Sequence, residues 1–396
     1  MNISKLLKNN SIVIVTHEYT TGPPHSLEKY CSGKVSKLLF ISHPFIFAPD
    51  TRSYFNLYDF KGKVQDSVHF IKFIQNQFIS VMKDIVLTVY WVVCAGQFDQ
   101  YIGVDGMNAF TGLFLKRLGI VKRVIFYTID YVPNRFNNAF VDSIYLWIDK
   151  KAVEGSDVVW NLSDTMKTMR AEQGLSHSYD AKQILVPVGT DVDIPEVKES
   201  ERKRFHVAHM GHLTKKQGVQ LVIEAIPEVL TKVPEFHFDI FGAGEYEKTL
   251  KELSARLNVD SFVTFHGYIE DHHSLEIKLS TCSLGIAPYV DTQDNFIRHT
   301  DPGKVKAYLA AGLPIVITKV PDVWKDIEKN KCGKACEANP SSVAKTIIFL
   351  LTDELLLGLY RKNAVVYARK FSWKRVFTRA FQASNKIFSF GTQGMT

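Results

Sequence analysis

The sequence CSLGIAPYVDTQDNFIRHTDPGKVKAYLAAGLPIVIT, residues 282–318, decides the fold, because it predicts a strand, a polar loop, a helix and a second strand. The apolar runs at its two ends are the buried strands. Asp301 suits the N-cap of the helix, and Pro302 suits its first turn, where no backbone N–H is needed. The N–H groups of this helix start, with Lys304 beside them, predict an anion site. A well-capped strand–helix–strand unit without a ligand is the alternative interpretation.

The same alternation of apolar strands and amphipathic helices runs over both halves of the chain, on either side of a charged stretch at 191–204. Such alternation predicts parallel sheets with helices on both faces. We therefore predict an α/β protein of two doubly wound Rossmann-like domains, with residues 1–193 in the first domain and residues 200–370 in the second. In such folds, ligands bind beyond the carboxyl ends of the strands.

The composition narrows the class of protein. The chain has 396 residues, of which 46% are hydrophobic and 22% charged, as is typical of an ordered globular protein with room for two domains. A net charge of +7 fits anionic partners such as phosphates, nucleotide sugars or an anionic membrane surface. The chain has no long basic run and no zinc-finger spacing, which argues against nucleic acid. Five cysteines without a metal-binding spacing indicate reduced thiols in a cytoplasmic protein and predict no metal site.

The longest apolar run, residues 85–95, is too short to span a bilayer, which needs about 20 residues, and no signal peptide is evident. Residues 60–94 mix lysines with aromatic and aliphatic residues and predict an amphipathic helix around 64–82. This segment, together with Lys5 and Lys8, is a candidate contact with an anionic membrane. A core helix of the first domain is the alternative interpretation of the same segment.

Two strand ends supply candidate site residues in the first half. The loop after the first strand holds His17, Glu18 and Gly22, which either contact a substrate or belong to a turn that Gly-Pro-Pro imposes. Asp130 follows the apolar strand 123–128. A carboxylate there is well placed for acceptor binding or proton transfer, although capping of the next segment is the alternative.

In the second half, the candidates lie in loops that are basic or rich in glycine. The loop that starts at Gly211 carries Lys215 and Lys216 into a helix, where a diphosphate could bind; a solvated basic turn is the alternative. Gly242 and Gly244 form a Gly-x-Gly turn after a strand but lack the third glycine of a dinucleotide fingerprint. That turn lies near a nucleotide or is purely structural.

Taken together, these residues resemble the GT-B glycosyltransferases, and specifically the family 4-like enzymes (glycosyl transferases group 1). The glycine loop 211–218, the Gly-x-Gly turn of Gly242 and Gly244, the strand end 263–267 and the PGKVKAYLAAGLPIVIT segment at 302–318 appear in that family's order. The resemblance implies two Rossmann-like domains that face each other across a cleft. It also implies that a C-terminal helix, residues 371–396, crosses back to the first domain.

The resemblance further implies a cytoplasmic, metal-independent hexosyltransferase that needs no cofactor and retains the configuration of the sugar. It would move the sugar from a nucleotide-diphosphate sugar to a glycan or lipid-linked acceptor in polysaccharide or glycoconjugate biosynthesis. The residues it assigns to catalysis are Asp130, His17, Lys215 and Lys304. Those assigned to donor binding are Gly211, His212, Lys216, Gly242, Gly244, His266, Asp301, Pro302 and Gly303. Those assigned to the acceptor are Gly22 and Glu18.

The sequence departs from the family's pattern in two ways. His212 and Gln217 stand where the family usually has an arginine and a lysine. The family's two glutamates, eight residues apart, are missing: the first would fall near His299, and the second, which usually binds the donor ribose, at Ala307. The identity of the donor therefore stays open. A non-catalytic GT-B-like subunit and a nucleotide-sugar epimerase of the same fold are the alternative functions.

Overall fold

The computed structural model describes residues 7–18, 22–45, 50–72, 74, 76–136, 138–192, 197–198, 201–290, 297 and 301–393. The chain forms two compact units, one of Met1–Pro187 with Trp373–Thr396 and one of Val188–Ser372. The charged stretch predicted as a linker at 191–204 lies at the start of the second unit, and part of it falls outside the described residues.

The first unit is built on an eight-stranded sheet. Its strands are β1 (Ser11–Glu18), β2 (Lys37–Pro44), β3 (Arg52–Tyr58), β4 (Val64–Lys72), β5 (Phe98–Val104), β6 (Val121–Thr128), β7 (Val158–Asn161) and β8 (Gln183–Leu185). Their order is β4–β3–β2–β1–β5–β6–β7–β8. The strands from β2 to β8 in this order run parallel, whereas β3 and β4 add an antiparallel edge.

Helices connect these strands and cover the sheet. They are α1 (Pro23–Cys31), α2 (Gln77–Ala95), α3 (Gly106–Arg117), α4 (Ala139–Gly155) and α5 (Thr165–Glu172). Residues 12–15 of β1 are fully buried, as expected for a central parallel strand with both faces covered. Leu87, Trp91 and Val92 of α2 pack into the same core.

The predicted helix around 64–82 is wrong. Residues in this range form the edge strand β4, which pairs with β3, and α2 begins only at Gln77. The signal overlooked is a tight turn: the Asp59 carboxylate accepts two backbone N–H groups at 2.9 Å, and Gly62 has a φ of 74°. The helix starts where the Asn76 side chain accepts the N–H of Ile79 at 3.2 Å and so caps it.

The second unit contains a six-stranded sheet that is parallel throughout. Its strands are β9 (His206–Met210), β10 (His237–Phe241), β11 (Val263–Gly267), β12 (Leu284–Ala287), β13 (Ile315–Thr318) and β14 (Gly333–Cys336), in the order β11–β10–β9–β12–β13–β14. Its helices are α6 (Val219–Leu230), α7 (Glu247–Arg256), α8 (His272–Ser280), α9 (Gly303–Ala310), α10 (Val323–Lys329), α11 (Pro340–Thr352) and α12 (Glu354–Ala368).

The quoted stretch 282–318 supplies the centre of this second sheet. Its two strands, β12 and β13, pair in parallel, and β12 also pairs with β9. All residues of β12 and β13 are buried, since helices cover both faces of the sheet. The short strand β14 and the short helix α10 were not predicted. β14 lacks the continuous apolar run of β12 and β13, and the seven residues of α10 carry little periodic signal.

The last helix, α13 (Trp373–Gln393), belongs to the first unit. Its apolar side contacts α1 and β7: the Phe377 ring lies 5.5 Å from that of Tyr30, and the Phe381 ring 5.2 Å from that of Trp160. The indole N–H of Trp160 donates to the Ser384 hydroxyl at 2.8 Å. The end of the chain is thereby fixed to the sheet formed by its beginning.

One glycine that ends the basic loop shows how tightly the second unit is packed. Gly218 has a φ of 77°, and a Cβ there would lie 1.7 Å from the Pro288 carbonyl oxygen. We expect Gly218→Ala to lower the free energy of unfolding by about 3 kcal/mol or more, because a left-handed backbone and a clash add up. Gly119→Ala is the matched control, with a φ of 72° and nothing within 4 Å of the added Cβ. Its expected cost is about 1 kcal/mol. Equal effects of the two variants in urea unfolding would contradict the steric account.

Candidate active site

In the second unit, the loops that follow β9, β10 and β11 lie against one another at the carboxyl edge of the sheet. The N–H of Gly242 donates to the Gly267 carbonyl at 2.8 Å. A Cβ on Gly242 would lie 1.9 Å from the Gly211 carbonyl oxygen, and one on Gly244 would lie 2.3 Å from that of Leu213. The Gly-x-Gly turn is therefore explained by the close packing of three backbones. Any contact of this turn with a nucleotide stays a prediction.

Lys304 is the cation that the fold places beside the first of these loops. Its Nζ donates to Oε1 of Gln217 at 2.6 Å and lies 5.1 Å above the Tyr289 ring. A Cβ on Gly211 would lie 3.1 Å from this Nζ, so the absent side chain leaves the amine its room. Burial lowers the pKa of Lys304 to about 7. An amine in this state gains most from an anionic partner, because a neighbouring negative charge favours its protonated form.

The predicted N-cap role of Asp301 is wrong. Pro302 holds the N-cap position of α9, without a side-chain hydrogen bond. The Asp301 carboxylate instead accepts the Val188 N–H at 3.0 Å and pairs with the amine of Lys306 at 2.9 Å. Lys306 is buried and needs this partner, which is the physical reason for the difference. The N–H groups that begin at Gly303 are consequently left without a side-chain cap.

The other basic candidates lie in the loop that follows β9. Lys215 is exposed on the short 3-10 turn Lys215–Gln217, and His212 is exposed before it. Lys216 is half-buried, and its backbone carbonyl accepts the Val290 N–H at 3.2 Å. The structure thus brings Gly211, Gln217 and Lys304 together, while roles for Lys215, Lys216 and His212 stay predictions.

His266 belongs to a network around a buried carboxylate. Asp239 accepts from His206 at 2.5 Å and from His266 at 2.7 Å, and the His266 ring stacks on Phe241 at 4.3 Å. Burial raises the pKa of Asp239, but these hydrogen bonds outweigh it and lower the pKa to about 2. Ligand atoms of His206, His237 and Asp239 lie within 4.8 Å of one another, so this group could hold a metal ion. The hydrogen bonds account for the arrangement without one, and contact of His266 with a nucleobase stays a prediction.

In the first unit, His17 stands at the centre of a cluster that the sequence only partly indicated. Its Nδ1 lies 3.0 Å from an Asp105 oxygen and its Nε2 3.3 Å from an Asp84 oxygen. Asp84 also pairs with His43 at 3.2 Å and with Lys83 at 2.9 Å. Asp105 follows a predicted strand and could have been found by that signal. Asp84 was hidden, because the helix that carries it was placed too early in the chain.

The charges of this cluster fix the protonation of His17. Burial alone would lower its pKa, but the carboxylates of Asp105 and Asp84 outweigh burial and raise it to about 10. Burial would raise the pKa of Asp84, whereas its hydrogen bonds with His17 and His43 hold it far below the usual range. His17 is therefore cationic at neutral pH, with both ring nitrogens engaged by carboxylates, and does not suit a general base in this state.

The remaining candidates of the first unit have local partners. Asp130, just beyond β6, pairs with Arg135 at 2.7 Å. Gly22 is the N-cap of α1, and its carbonyl accepts the N–H groups of His25 and Ser26. Glu18 is the last residue of β1. Contacts of these three residues with an acceptor stay predictions.

The raised pKa of His17 predicts how stability changes with pH. The proton that the folded state holds stabilises it fully below pH 6.5, and this contribution is lost as pH rises toward 10. We expect the melting temperature to fall less steeply between pH 7 and 10 in His17→Gln than in the unchanged protein. His69→Gln, at a half-exposed histidine, is the control and should leave the slope unchanged. If the melting temperatures of all three proteins, measured by circular dichroism, changed equally with pH, the protonated state of His17 would be refuted.

In sequence, the chain is similar to known glycosyltransferases. Residues 204–353 match the sequence model of the family Glycosyl transferases group 1. An uncharacterized glycosyltransferase of Haemophilus influenzae is 26% identical over 276 residues, which cover 68% of this chain and 72% of that protein. The putative colanic acid biosynthesis glycosyltransferase WcaL of Escherichia coli is 21% identical over 240 residues, 59% of this chain and 57% of WcaL.

Among solved structures, Anabaena HepE in complex with UDP superposes with a TM-score of 0.71 at 14% identity, over 95% of this chain and 100% of HepE. This likeness shows the fold, and the predicted α/β class with two Rossmann-like GT-B domains is confirmed. The predicted resemblance to glycosyl transferases group 1 is confirmed as well, and the family's domain lies at residues 204–353.

Proposed function

We propose that this protein transfers a sugar from a nucleotide-diphosphate sugar to a glycan or lipid-linked acceptor. The observation that carries the proposal is the half-buried Lys304 amine, held by Gln217 beneath Gly211 next to a helix start without a side-chain cap. Backbone N–H groups and a cation that converge in this way bind phosphates. HepE, which shares the fold, is described in complexes with UDP and with UDP-glucose, and this supports a nucleotide-diphosphate donor.

In the proposed reaction, the bond between the sugar and the diphosphate breaks and negative charge grows on the leaving oxygen. Lys304 and the N–H groups that begin at Gly303 would stabilise that charge, a preorganised contribution of the kind that dominates many enzymes. Gln217 would hold the amine in place, because its Oε1 already accepts from it. These groups supply the positive charge that a metal ion provides in other transferases.

On the acceptor side, His17 is proposed to act as a fixed positive charge beside the acceptor rather than to remove a proton, because both of its ring nitrogens are engaged by Asp105 and Asp84. This assignment follows from its raised pKa and from the two carboxylates that hold it. Asp130 is the proposed partner of the acceptor hydroxyl. We further propose that the reaction retains the sugar's configuration and takes place in the cytoplasm. The proposed role in polysaccharide or glycoconjugate biosynthesis is supported by the likeness to WcaL, a putative colanic acid biosynthesis glycosyltransferase.

A second candidate function is a non-catalytic subunit that binds a partner glycosyltransferase. The observation in its favour is Ala307, which is partly exposed on α9 and offers no carboxylate for a donor ribose. The GtfA subunit of the UDP-N-acetylglucosamine–peptide N-acetylglucosaminyltransferase of Streptococcus pneumoniae is 26% identical to this chain over 92 residues. These residues are 23% of this chain and 18% of GtfA.

The experiment that separates these functions follows nucleotide sugars over time in the presence and absence of glycan and lipid-linked acceptors. Release of nucleoside diphosphate together with a glycosylated product supports the proposed transfer. Interconversion of the nucleotide sugar without an acceptor would identify an epimerase. Binding without turnover would identify the subunit.

A further inference from the structure

Helices α2, α3 and α4 form a layer in the first unit whose outward side is apolar. Core residues such as Leu87 and Leu115 hold α2 and α3 to the sheet, and the rings of Phe110 on α3 and Trp147 on α4 lie 5.9 Å apart. Thirteen large apolar side chains of this layer and its edge are exposed. They are Phe78, Ile79, Met82, Val86, Tyr90, Val93, Phe110, Phe114, Leu118, Phe140, Val141, Ile144 and Trp147. We call this surface the helical face.

The part of the helical face on α2 carries no charge. Its exposed apolar residues recur at helical spacing from Phe78 to Val93, a stripe about 22 Å long at about 1.5 Å per residue. The two charged residues of this fully described helix, Lys83 and Asp84, point away from solvent and pair with each other at 2.9 Å. By length and composition α2 could cross a membrane, but its other side packs into the core with Trp91 and Val92. A helix apolar on its outer side and anchored by its inner side is suited to lie at a membrane surface.

The charges around the helical face are basic. Arg117, at the end of α3, is exposed and pairs with no carboxylate among the described residues, and Lys151 on α4 is nearly half-exposed. The carboxylates of Asp142 and Asp149 on α4 are buried. That of Glu154 is mostly covered and pairs with Lys151 at 2.6 Å. The helical face therefore presents apolar side chains and cations to solvent, with no exposed carboxylate on these three helices.

A groove between α3 and α4 joins the two kinds of side chain. It has a volume of about 350 Å³ and is lined by the apolar Phe110, Leu113 and Phe114, by the cations Arg117 and Lys151, and by Gly155 and Glu154, whose carboxylate pairs with Lys151. A hydrocarbon chain fits the apolar wall, and a phosphate group fits the cations at its end.

We infer that the helical face binds the surface of a bilayer that contains anionic phospholipid. The aromatic and aliphatic side chains would enter the boundary between headgroups and acyl chains, while Arg117 and Lys151 would contact lipid phosphates. A large apolar patch marks an interaction site, and its mainly basic surroundings, in which the mostly covered Glu154 pairs with Lys151, favour an anionic membrane over a second copy of the chain, which would carry the same charges. The predicted contacts of Lys5 and Lys8 are not part of this inference, and Lys5 lies outside the described residues.

The inference goes beyond sugar transfer and does not depend on it. It also bears on the acceptor, because Phe78 and Phe140 lie at the amino ends of α2 and α4. Those helix ends are near the carboxyl edge of the sheet, where α2 supplies Asp84 to the His17 cluster. A membrane at the helical face would hold a lipid-linked acceptor close to this edge.

The test is flotation of the full-length protein with vesicles of phosphatidylcholine, with and without phosphatidylglycerol, in the absence of any nucleotide sugar. We expect binding to the vesicles that contain phosphatidylglycerol and a loss of binding as salt is raised, because exposed charges are screened. Val86→Glu with Tyr90→Glu should weaken binding about tenfold or more, since it places two carboxylates in the apolar stripe. Arg117→Ala with Lys151→Ala should weaken it less and remove most of the salt dependence.

Leu355→Glu with Val366→Glu is the matched control, because these two residues are exposed on α12 of the second unit. The control should bind like the unchanged protein, and circular dichroism should show that every variant is folded. Failure to float with either vesicle would overturn the inference, as would equal losses in the stripe and control variants. A dimer in light scattering that the stripe variant dissociates, without vesicle binding, would assign the helical face to a second copy instead. Failure of sugar transfer alone would leave the vesicle result standing.

Discussion

Replacing Lys304 with methionine should lower kcat/KM for sugar transfer by about 100- to 1,000-fold, the loss expected when one preorganised charge donor is removed. The amine is half-buried and held in place by Gln217, whose Oε1 accepts from it at 2.6 Å. Methionine keeps the apolar length of the side chain and removes the charge. Lys345→Met, at an exposed lysine on α11, is the control and should retain full activity.

The lowered pKa of Lys304 gives this expectation a pH signature. With a pKa of about 7, much of the amine is neutral at pH 8 in the unbound protein, and an incoming diphosphate favours its protonation. Binding should therefore take up a proton, and affinity should fall as pH rises from 7 to 9. Calorimetry in buffers of different ionisation enthalpy measures this uptake directly. Uptake that is unchanged in Lys304→Met would assign the proton to another group.

Replacing Arg170 with methionine should lower the free energy of unfolding of the first unit by about 3–5 kcal/mol, because it leaves a buried carboxylate without its partner. Arg170 is 1% exposed, and its guanidinium donates two hydrogen bonds to Asp149 at 2.7 and 2.8 Å. It also donates to Asn161 at 2.6 Å and to Thr128 at 2.7 Å. One side chain thus joins α4, α5 and the ends of two strands.

A double replacement distinguishes the charge from the packing. Arg170→Met with Asp149→Leu should recover at least half of the lost stability, since an apolar pair of similar volume avoids the buried charge. Lys251→Met is the exposed control; its ion pair with Glu247 lies on the surface of α7 and should contribute less than about 1 kcal/mol. If the double variant were no more stable than Arg170→Met in urea unfolding, lost packing rather than an unpaired charge would be the cause.

The parallel core could be predicted because its signal is local. Apolar strands such as β1, β12 and β13 are separated by helices whose period is visible in the sequence, and the structure places them at the predicted positions within a few residues. The antiparallel edge could not be predicted, because β4 is exposed along nearly all its length and no alternation of buried and exposed residues distinguishes it. Its pairing with β3 depends on the Asp59 turn.

The candidate site, too, could be predicted from the sequence only in part. Gly211 and Lys304 lie at strand and helix ends that the sequence marks, so both could be named, but their contact joins residues 93 positions apart. The position of the Asp301 carboxylate depends on Lys306, whose burial no local pattern reveals. Likewise, the protonation of His17 depends on Asp84, which is distant in sequence and lies on a helix that was misplaced.

The central claim is that the second unit binds a nucleotide diphosphate at Gly211 and Lys304, and calorimetric titration with a panel of nucleoside diphosphates and their sugars tests it most directly. We predict saturable binding of at least one nucleoside diphosphate, proton uptake near pH 8, and affinity at least about tenfold weaker in Lys304→Met, as for a lost charge-assisted hydrogen bond. Absence of binding across the panel, or equal affinity in the unchanged protein and Lys304→Met, would contradict the account.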